Sequence, residues 1–249
     1  MDTFLIYMIA IFSALKDEIK SILADFEVTE TIYVRPSIIF RGFYRGKEML
    51  LSHTGIGRQK TERAVEFCIK EFHPDLCVNV GFCGALTPSL GLADIVIGES
   101  VTLEKSGEVI GAGENDFLNK AKTICKNVPL KCLSGGILTV DNVINTPHEK
   151  AFLGTKFGVV AVDMESFALA KTATKYNTPF IIVRSTIDPM DMHLGSFEGS
   201  VKENGSVNPV GFISNLVRSP KKTIQLPQLK FCASKAKETL GRFLNEFIL

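Results

Sequence analysis

Short apolar runs alternate along most of the chain with segments whose apolar side chains recur at helical spacing. The runs with the length and bounding residues of buried strands are residues 6–12, 76–80, 95–101, 135–140 and 179–183. Residues 13–26 and 60–72 are predicted to be amphipathic helices. Segments 37–44 and 48–52 flank Arg45-Gly46-Lys47 and are predicted to form a hairpin. The alternation predicts a three-layer α/β/α sandwich around a mixed, mostly parallel central sheet.

Charged side chains follow two apolar runs in the stretch 158–191. Asp163 and Glu165 come after the first run, and Arg184 and Asp188 come after the second. A segment of helical spacing separates the two runs, so the stretch reads as strand, helix and strand. Ligands of open parallel sheets bind outside the carboxyl ends of the strands. We therefore expect these four side chains to converge on one site.

The C-terminal part of the chain has a different character. Asn204-Gly205 is typical of a two-residue hairpin turn. Asn208-Pro209 predicts the start of a helix that ends near Arg218, and a last helix is predicted to begin near Pro227. The length of 249 residues suits one large α/β domain, and no repeat or low-complexity linker divides it. We predict a single domain over residues 1–249.

The composition argues against several classes of protein. Positive and negative side chains nearly cancel at a formal charge of +1, which does not suit a surface that neutralises nucleic-acid phosphates. The N-terminal run FLIYMIAIF is too short to span a bilayer and lacks the basic residues and cleavage site of a signal peptide. The six cysteines form no C-x-x-C pair and no metal-like alternation with histidine. We expect a cytoplasmic protein with reduced cysteines, no membrane span and no metal.

Two glycines link a predicted strand to a predicted helix at residues 54–57 (TGIG). Gly55 and Gly57 would let an anion approach backbone N–H groups at the start of that helix. A tight turn with a purely structural role is the commoner reason for such glycines. Both interpretations stay open at this point.

Six motifs occur in a characteristic order. They are residues 9–14 (IAIFSA) followed by Glu18, residues 54–57 (TGIG), 79–85 (NVGFCGA), 91–96 (GLADIV) and 163–165 (DME), and Arg184 with Asp188. Together they resemble the nucleoside phosphorylase and nucleosidase superfamily, in particular the methylthioadenosine/S-adenosylhomocysteine nucleosidases, over nearly the whole chain. The tail from Phe197 to about Leu229 is similar to a narrower branch, the hopanoid-biosynthesis-associated phosphorylases. The resemblance begins at about Met8, so residues 1–7 are expected to be an extension or a mis-assigned start.

Cleavage of a purine N-glycosidic bond needs a proton for the leaving base, a stabilised cationic sugar and a nucleophile on the opposite face. The resemblance implies that Asp188 protonates the base. It further implies that Glu165 binds the ribose hydroxyls while Met164 packs against the sugar. Glu18 then activates the attacking water, and Arg184 helps to hold that water. No metal or organic cofactor is implied.

The chain departs from the family pattern at several positions of the base and nucleophile sites. Asn79 stands where phosphorolytic relatives carry an arginine, as in nucleosidases. Phe82 replaces a small hydroxyl residue and is assigned to the base site. Val143 occupies the place of an aromatic residue that stacks on the base, while its neighbour Ile144 is retained. Ile187 replaces a serine. These departures weaken the assignment of the common methylthioadenosine substrate.

The nucleophile therefore stays open between water and phosphate. Glu18 favours water, because a carboxylate repels a phosphate dianion. Phosphate would need the backbone from Gly55 to Gly57 with Arg58, or an arginine of the hairpin, Arg41 or Arg45.

Three functions remain in competition. They are a phosphorylase of a hydrophobic adenosine such as adenosylhopane, a hydrolytic methylthioadenosine/S-adenosylhomocysteine nucleosidase, and a non-catalytic nucleoside-binding protein. The apolar residues Phe212, Ile213, Leu216 and Val217 suit a channel for a long 5′ substituent, although a core helix face is commoner. The resemblance also implies a homodimer or higher homo-oligomer, with a purine nucleoside as the small-molecule partner.

Overall fold

A computed structural model describes residues 8–192 and 226–249, without the side chains of 226–229. Four features predicted from the sequence lie outside the described residues. They are the N-terminal extension, the hairpin at 204–205, the helix at 208–218 and the apolar stripe within that helix.

Ten strands and six helices occur in the described part of the chain. The strands are β1 (Ile9–Ser13), β2 (Glu27–Val34), β3 (Ser37–Tyr44), β4 (Lys47–His53), β5 (Leu76–Ala85), β6 (Ile95–Leu103), β7 (Val109–Gly111), β8 (Cys132–Thr139), β9 (Ala161–Asp163) and β10 (Phe180–Asp188). The helices are α1 (Lys20–Ala24), α2 (Arg58–Phe72), α3 (Asp116–Asn127), α4 (Pro147–Phe157), α5 (Ser166–Lys175) and α6 (Leu226–Ile248). A 3₁₀ turn, Lys16–Ile19, precedes α1.

The strands form one mixed sheet in the order β10-β6-β8-β9-β5-β1-β4-β3-β2, with β7 on β6. β10 also pairs with β5, so β5, β10, β6, β8 and β9 close into a ring. β5 and β1 are parallel neighbours, as are β5 and β10, whereas the β2–β3–β4 meander is antiparallel. The sheet thus combines a closed part with an open wing, and β5 belongs to both.

The two faces of the sheet carry separate apolar layers because strand side chains alternate between faces. On one face Phe12 and Ile182 pack with α2 and α5. On the other face Ile11 and Ile181 pack with α1, α3 and α6. Helices therefore cover both sides, and the prediction of an α/β fold around a mixed sheet is confirmed.

The predicted helix over residues 13–26 is broken up in the structure. Residue 13 still belongs to β1, because Ser13 pairs with His53 and Val80 across the sheet. The chain then makes the 3₁₀ turn and the short helix α1 before β2 begins. One continuous helix was wrong because tertiary pairing holds the first residues extended.

The expectation of six reduced cysteines is wrong for one pair. Cys125 in α3 and Cys132 at the start of β8 are joined by a disulfide, with their Cα atoms 5.7 Å apart. The connection from α3 to β8 is short enough to bring them within bridging range. The other four cysteines are buried and free. Within the described ranges, no helix combines the length and apolarity needed to cross a membrane.

Candidate active site

A split beside β5 creates the candidate site. Over Leu76–Val80 this strand pairs with β1, and at Gly84 and Ala85 it pairs on the same side with β9. β1 ends opposite Val80, so residues 81–83 of β5 have no strand partner on this side and face a crevice at the carboxyl end of β1. Such a switch point is where open α/β sheets bind ligands.

Glu18 fills the split with its carboxylate. Its Oε1 atom accepts the backbone N–H of Phe82 at 3.1 Å, which replaces the missing strand partner. Its Oε2 atom accepts the N–H of Leu15 at 2.8 Å, the backward bond that a glutamate makes at a helix start. Glu18 is only 4% exposed. Burial raises its pKa to about 7, although the two N–H groups and the charge of Arg184 oppose that rise. A carboxylate with such a pKa suits a general base near neutral pH.

Arg184 is fully buried and anchored by Asp163. Its Nε and Nη2 atoms lie 2.8 Å and 2.6 Å from Asp163 Oδ2, and Nη2 also donates to Ser166 Oγ at 2.9 Å. Asp163 in turn accepts the hydroxyl of Thr139 at 2.8 Å and the hydroxyl of Ser166. The ion pair therefore fixes the guanidinium, and Asp163 serves Arg184 rather than a ligand.

Asp163→Asn should lower the free energy of unfolding by about 3 kcal/mol, because it leaves the buried Arg184 without its closest countercharge. Urea unfolding followed by circular dichroism measures this change, since the chain has no tryptophan.

Glu48→Gln is the matched control, because it removes a surface partner 2.7 Å from Arg41 and should cost less than about 1 kcal/mol. Equal losses for the two variants would contradict a structural role of the Asp163–Arg184 pair.

Gly81 lets Arg184 and Glu18 meet over β5. A Cβ atom at this position would overlap Arg184 Nη1 and lie 2.9 Å from Glu18 Oε1. The glycine is thus required by close approach of two charged groups, and any side chain here would push them apart.

Glu165 lies at the other rim of the crevice and is bound by the glycine turn. It stands at the N-cap position of α5 without a side-chain capping bond and is 7% exposed. Its Oε1 atom accepts the N–H of Gly57 at 3.0 Å. Burial raises its pKa to about 8, and the charge of Asp163 acts in the same direction, whereas the charge of Arg184 and the hydrogen bond from the Gly57 N–H act against it. The turn at 54–57 therefore holds a carboxylate of the chain itself.

Asp188 ends β10 and is held by a residue that the sequence analysis missed. Lys150 of α4 is fully buried, and its Nζ atom lies 2.6 Å from Asp188 Oδ1. Asp188 is itself 5% exposed. Burial raises its pKa to about 6, against the hydrogen bond and charge of Lys150. The buried residues of α4 are Lys150, Leu153 and Gly154. Their spacing of three and four residues places them on one face of the helix, and this spacing was the available signal that the lysine points inward.

Glu18 and Asp188 approach β5 three residues apart. Glu18 contacts Gly81 and Phe82, whereas Asp188 Oδ2 lies 3.3 Å from a Cβ atom built at Gly84. Three residues of strand span roughly 10 Å, which is the scale of a nucleoside. The predicted acid and base thus approach the same strand at neighbouring positions near its carboxyl end.

The loop between β8 and α4 supplies the residues predicted to touch the base. Val143 is half-buried, whereas Ile144 packs in a small apolar cluster with Leu153. Asp141 ties this loop to the glycine turn, because Arg58 Nη2 and Nε lie 2.7 Å and 3.1 Å from its Oδ1 atom. Phe82 and Met164 are also half-buried, and their contacts within the described residues assign them no role.

One predicted position is corrected. Arg184 was expected after the end of its strand, but β10 continues through it to Asp188. The strand persists because Arg184 and Ser185 pair with Gly81 and Phe82.

Comparison with known proteins agrees with the motifs. A sequence model of the phosphorylase superfamily matches residues 8–209, and the predicted superfamily is confirmed. The 5′-methylthioadenosine/S-adenosylhomocysteine nucleosidase of Staphylococcus saprophyticus is 29% identical, over 85% of this chain and 100% of that protein. The protein of the same description from Bacillus licheniformis is 28% identical, over 72% and 85%.

Solved structures share the fold over almost the whole chain. The 5′-methylthioadenosine/S-adenosylhomocysteine nucleosidase of Neisseria meningitidis, in complex with methylthio-immucillin-A, has a TM-score of 0.77 at 21% identity, covering 97% of this chain and 98% of that one. Futalosine hydrolase of Helicobacter pylori has a TM-score of 0.76 at 20% identity, covering 99% of each.

Proposed function

This chain belongs to the phosphorylase superfamily, and on that premise we propose that it cleaves the N-glycosidic bond of 5′-modified adenine nucleosides with water. The observation that carries the proposal is the group of three buried carboxylates around the split of β5, those of Glu18, Glu165 and Asp188. Burying carboxylates is costly, and groups with such displaced pKa values concentrate at functional sites. The names of the relatives supply the substrate class.

Asp188 is the proton donor in this proposal. Burial raises its pKa from the ordinary aspartate range to about 6, so at pH 7 roughly a tenth of the molecules carry the proton that the departing base needs. Oδ1 is bound by Lys150, so Oδ2 is the oxygen that delivers the proton. After it has donated its proton, Asp188 is a carboxylate, and it takes a proton from solvent before the next turnover.

Glu165 binds the ribose. The backbone N–H of Gly57 donates to Oε1 of Glu165, which leaves Oε2 to accept a sugar hydroxyl. The negative charge of this group stabilises the positive charge that develops on the sugar as the bond to the base breaks. That interaction grows toward the transition state, so Glu165 contributes to the rate as well as to binding.

Water is favoured over phosphate because the candidate anion-binding arginines are already engaged. Arg184 is paired with Asp163, Arg58 with Asp141 and Arg41 with Glu48, while the guanidinium of Arg45 lies over the ring of Tyr44. Glu18 adds negative charge to the crevice. A phosphate dianion entering there meets little uncompensated positive charge.

Release of adenine should therefore not depend on phosphate. The test is chromatography of methylthioadenosine, S-adenosylhomocysteine and an adenosine with a large apolar 5′ group, incubated in phosphate-free buffer and in phosphate buffer. Equal rates and a free sugar product support water as the nucleophile. A sugar 1-phosphate formed only in phosphate buffer would overturn it and point to Lys60, whose side chain lies over Gly55.

Several finer points rest on the resemblance alone. The panel of nucleosides also separates the hopanoid-associated branch from the methylthioadenosine branch, since only the former requires a large apolar 5′ group. The homo-oligomeric state and the base-site assignment of Val143, Ile144 and Phe82 stay predictions from the resemblance, and the single domain stays a prediction from length and composition.

A further inference from the structure

Lys150 makes contacts that the proposed reaction leaves unexplained. We propose that Lys150 is a positioning residue that holds the proton donor Asp188 in one orientation and fastens the segment behind it. This inference rests on the proposed function, because it assigns Asp188 the role of acid.

The three donors of the lysine ammonium are all directed at this corner of the site. Nζ lies 2.6 Å from Asp188 Oδ1, 3.0 Å from the carbonyl oxygen of Pro189 and 3.1 Å from the carbonyl oxygen of Met192. An ammonium group has three donors, so each is used once. The side chain of Lys150 is fully buried, and a buried lysine is retained only where its charge is compensated.

Helix α4 is placed for this contact by close backbone packing. A Cβ atom at Gly154 would overlap the carbonyl oxygen of Leu86, just after β5. Gly154 is one helical turn after Lys150, so the approach of α4 to the end of β5 brings the lysine over Asp188. Pro147 starts α4 directly after the loop that carries Val143. Lys150 therefore connects the loop predicted to touch the base with the group predicted to protonate it.

The bonding leaves one oxygen of Asp188 for the substrate. Oδ1 is committed to Lys150, while Oδ2 lies 3.3 Å from a Cβ atom built at Gly84, where the missing side chain leaves room. With its orientation fixed, Asp188 presents the same oxygen to the base in every turnover. Loss of the lysine would let the carboxyl group rotate and would release two carbonyl anchors.

Lys150 is the positive member of the charged and titratable groups that act on Asp188. The others are Asp191 in the following segment, Cys83 on β5 and Cys232 on α6. Removing Lys150 should therefore raise the pKa of Asp188 further, because burial would act with less opposition. A general acid must be protonated to act, so kcat falls as pH rises through this pKa.

Three variants test the proposal. Lys150→Met removes the charge and the bonds, and Lys150→Gln keeps donors without the charge. Lys131→Met is the control, because Lys131 also lies 2.6 Å from an aspartate, Asp94, but on the surface. We expect kcat of the Met variant at pH 7 to fall about 10- to 100-fold, with KM changing far less. The alkaline limb of kcat should move up by about one pH unit or more in both Lys150 variants.

Lys131→Met should retain the wild-type kcat and pH profile. The proposal would be overturned if Lys150→Met is folded, as judged by circular dichroism, and keeps both the wild-type kcat and the wild-type alkaline limb of the pH profile. An unchanged limb in Lys150→Gln would overturn the part played by the charge. No base release by the wild-type protein would instead count against the proposed function.

A measurement on the wild-type protein covers variants that fail to fold. Lysine ammonium protons bonded to a buried carboxylate exchange slowly with water, so ¹H–¹⁵N spectra of ¹⁵N-lysine protein should contain such a signal from Lys150. Its shift should follow pH with the midpoint of the kcat limb. Absence of a protected ammonium signal, or a shift that does not follow pH, would overturn the pairing whether or not the protein releases base.

Discussion

Asp188→Asn is expected to lower kcat for base release by about 10²–10⁴-fold while nucleoside binding changes little. Asparagine has nearly the shape of aspartate and still offers an oxygen to Lys150, but it has no carboxyl proton to deliver to the departing base. The loss therefore falls on the chemical step. Single-turnover rates give the chemical step, and calorimetry with a nucleoside gives the affinity.

Asp191→Asn is the matched control, because Asp191 lies three residues further along and is exposed. It keeps the carboxyl group of Asp188 and should retain most of the rate, with only the small fall in the pKa of Asp188 that follows loss of the Asp191 charge. Since Asp188→Asn leaves the buried Lys150 without a countercharge, the double variant with Lys150→Met checks that lost activity does not reflect unfolding. Unchanged turnover in a folded Asp188→Asn protein would contradict the assignment of the acid. A wild-type protein that binds nucleosides without turnover would favour the binding-protein alternative.

Glu18→Gln is expected to reduce kcat by about 10²–10⁴-fold and to remove the acidic limb of the pH profile. A general base works only when ionised, and burial raises the pKa of Glu18 to about 7. In the wild type, kcat/KM reports the free protein and needs ionised Glu18 together with protonated Asp188, whose pKa is about 6. The profile should therefore be bell-shaped, with a rise on its acidic side and its maximum between about pH 6 and pH 7. The variant has no carboxylate to titrate, so its residual rate should lack this rise. Initial rates measured from pH 5 to pH 9 provide both quantities.

Asp17→Asn changes the exposed neighbouring carboxylate and should leave the rate and the acidic limb intact. The glutamine of Glu18→Gln also places an amide group against one of two backbone N–H donors, so its stability needs to be measured beside its rate. A phosphate-dependent rate that survives in Glu18→Gln would contradict water activation by Glu18.

The parts of the fold that the sequence predicts are those with a strong local signal. The buried strands β5, β6 and β10 follow from apolar runs, and α2 follows from the spacing of its buried residues. β2 was missed because its first five residues are exposed, so an edge strand has no apolar run to reveal it. The pairing of β10 with β5 was also missed, because pairing between strands far apart in sequence does not change the hydrophobic pattern of either strand.

The candidate site also contains residues that the sequence predicts and residues that it does not. The order of short motifs singled out Glu18, Glu165, Arg184 and Asp188. In the structure the first three lie close enough to interact, and Asp188 approaches β5 at Gly84, three residues after Gly81. Their partners are set by tertiary approach. Lys150 reaches Asp188 because Gly154 lets α4 pack against the chain after β5, and local sequence does not specify where that helix lands. Arg58 was considered as a ligand of phosphate, but in the structure it forms an ion pair with Asp141.

The ring of five strands also determines when the site can form during folding. Phe180 at the start of β10 pairs with Cys77 of β5, about 100 residues earlier in the chain. Contacts between such distant segments raise contact order, and chains with high contact order fold slowly. The proposed general base, Glu18, lies near the N-terminus, and the proposed acid, Asp188, is the last residue of β10. A nascent chain therefore has no catalytic crevice until β10 has been made and has joined the ring.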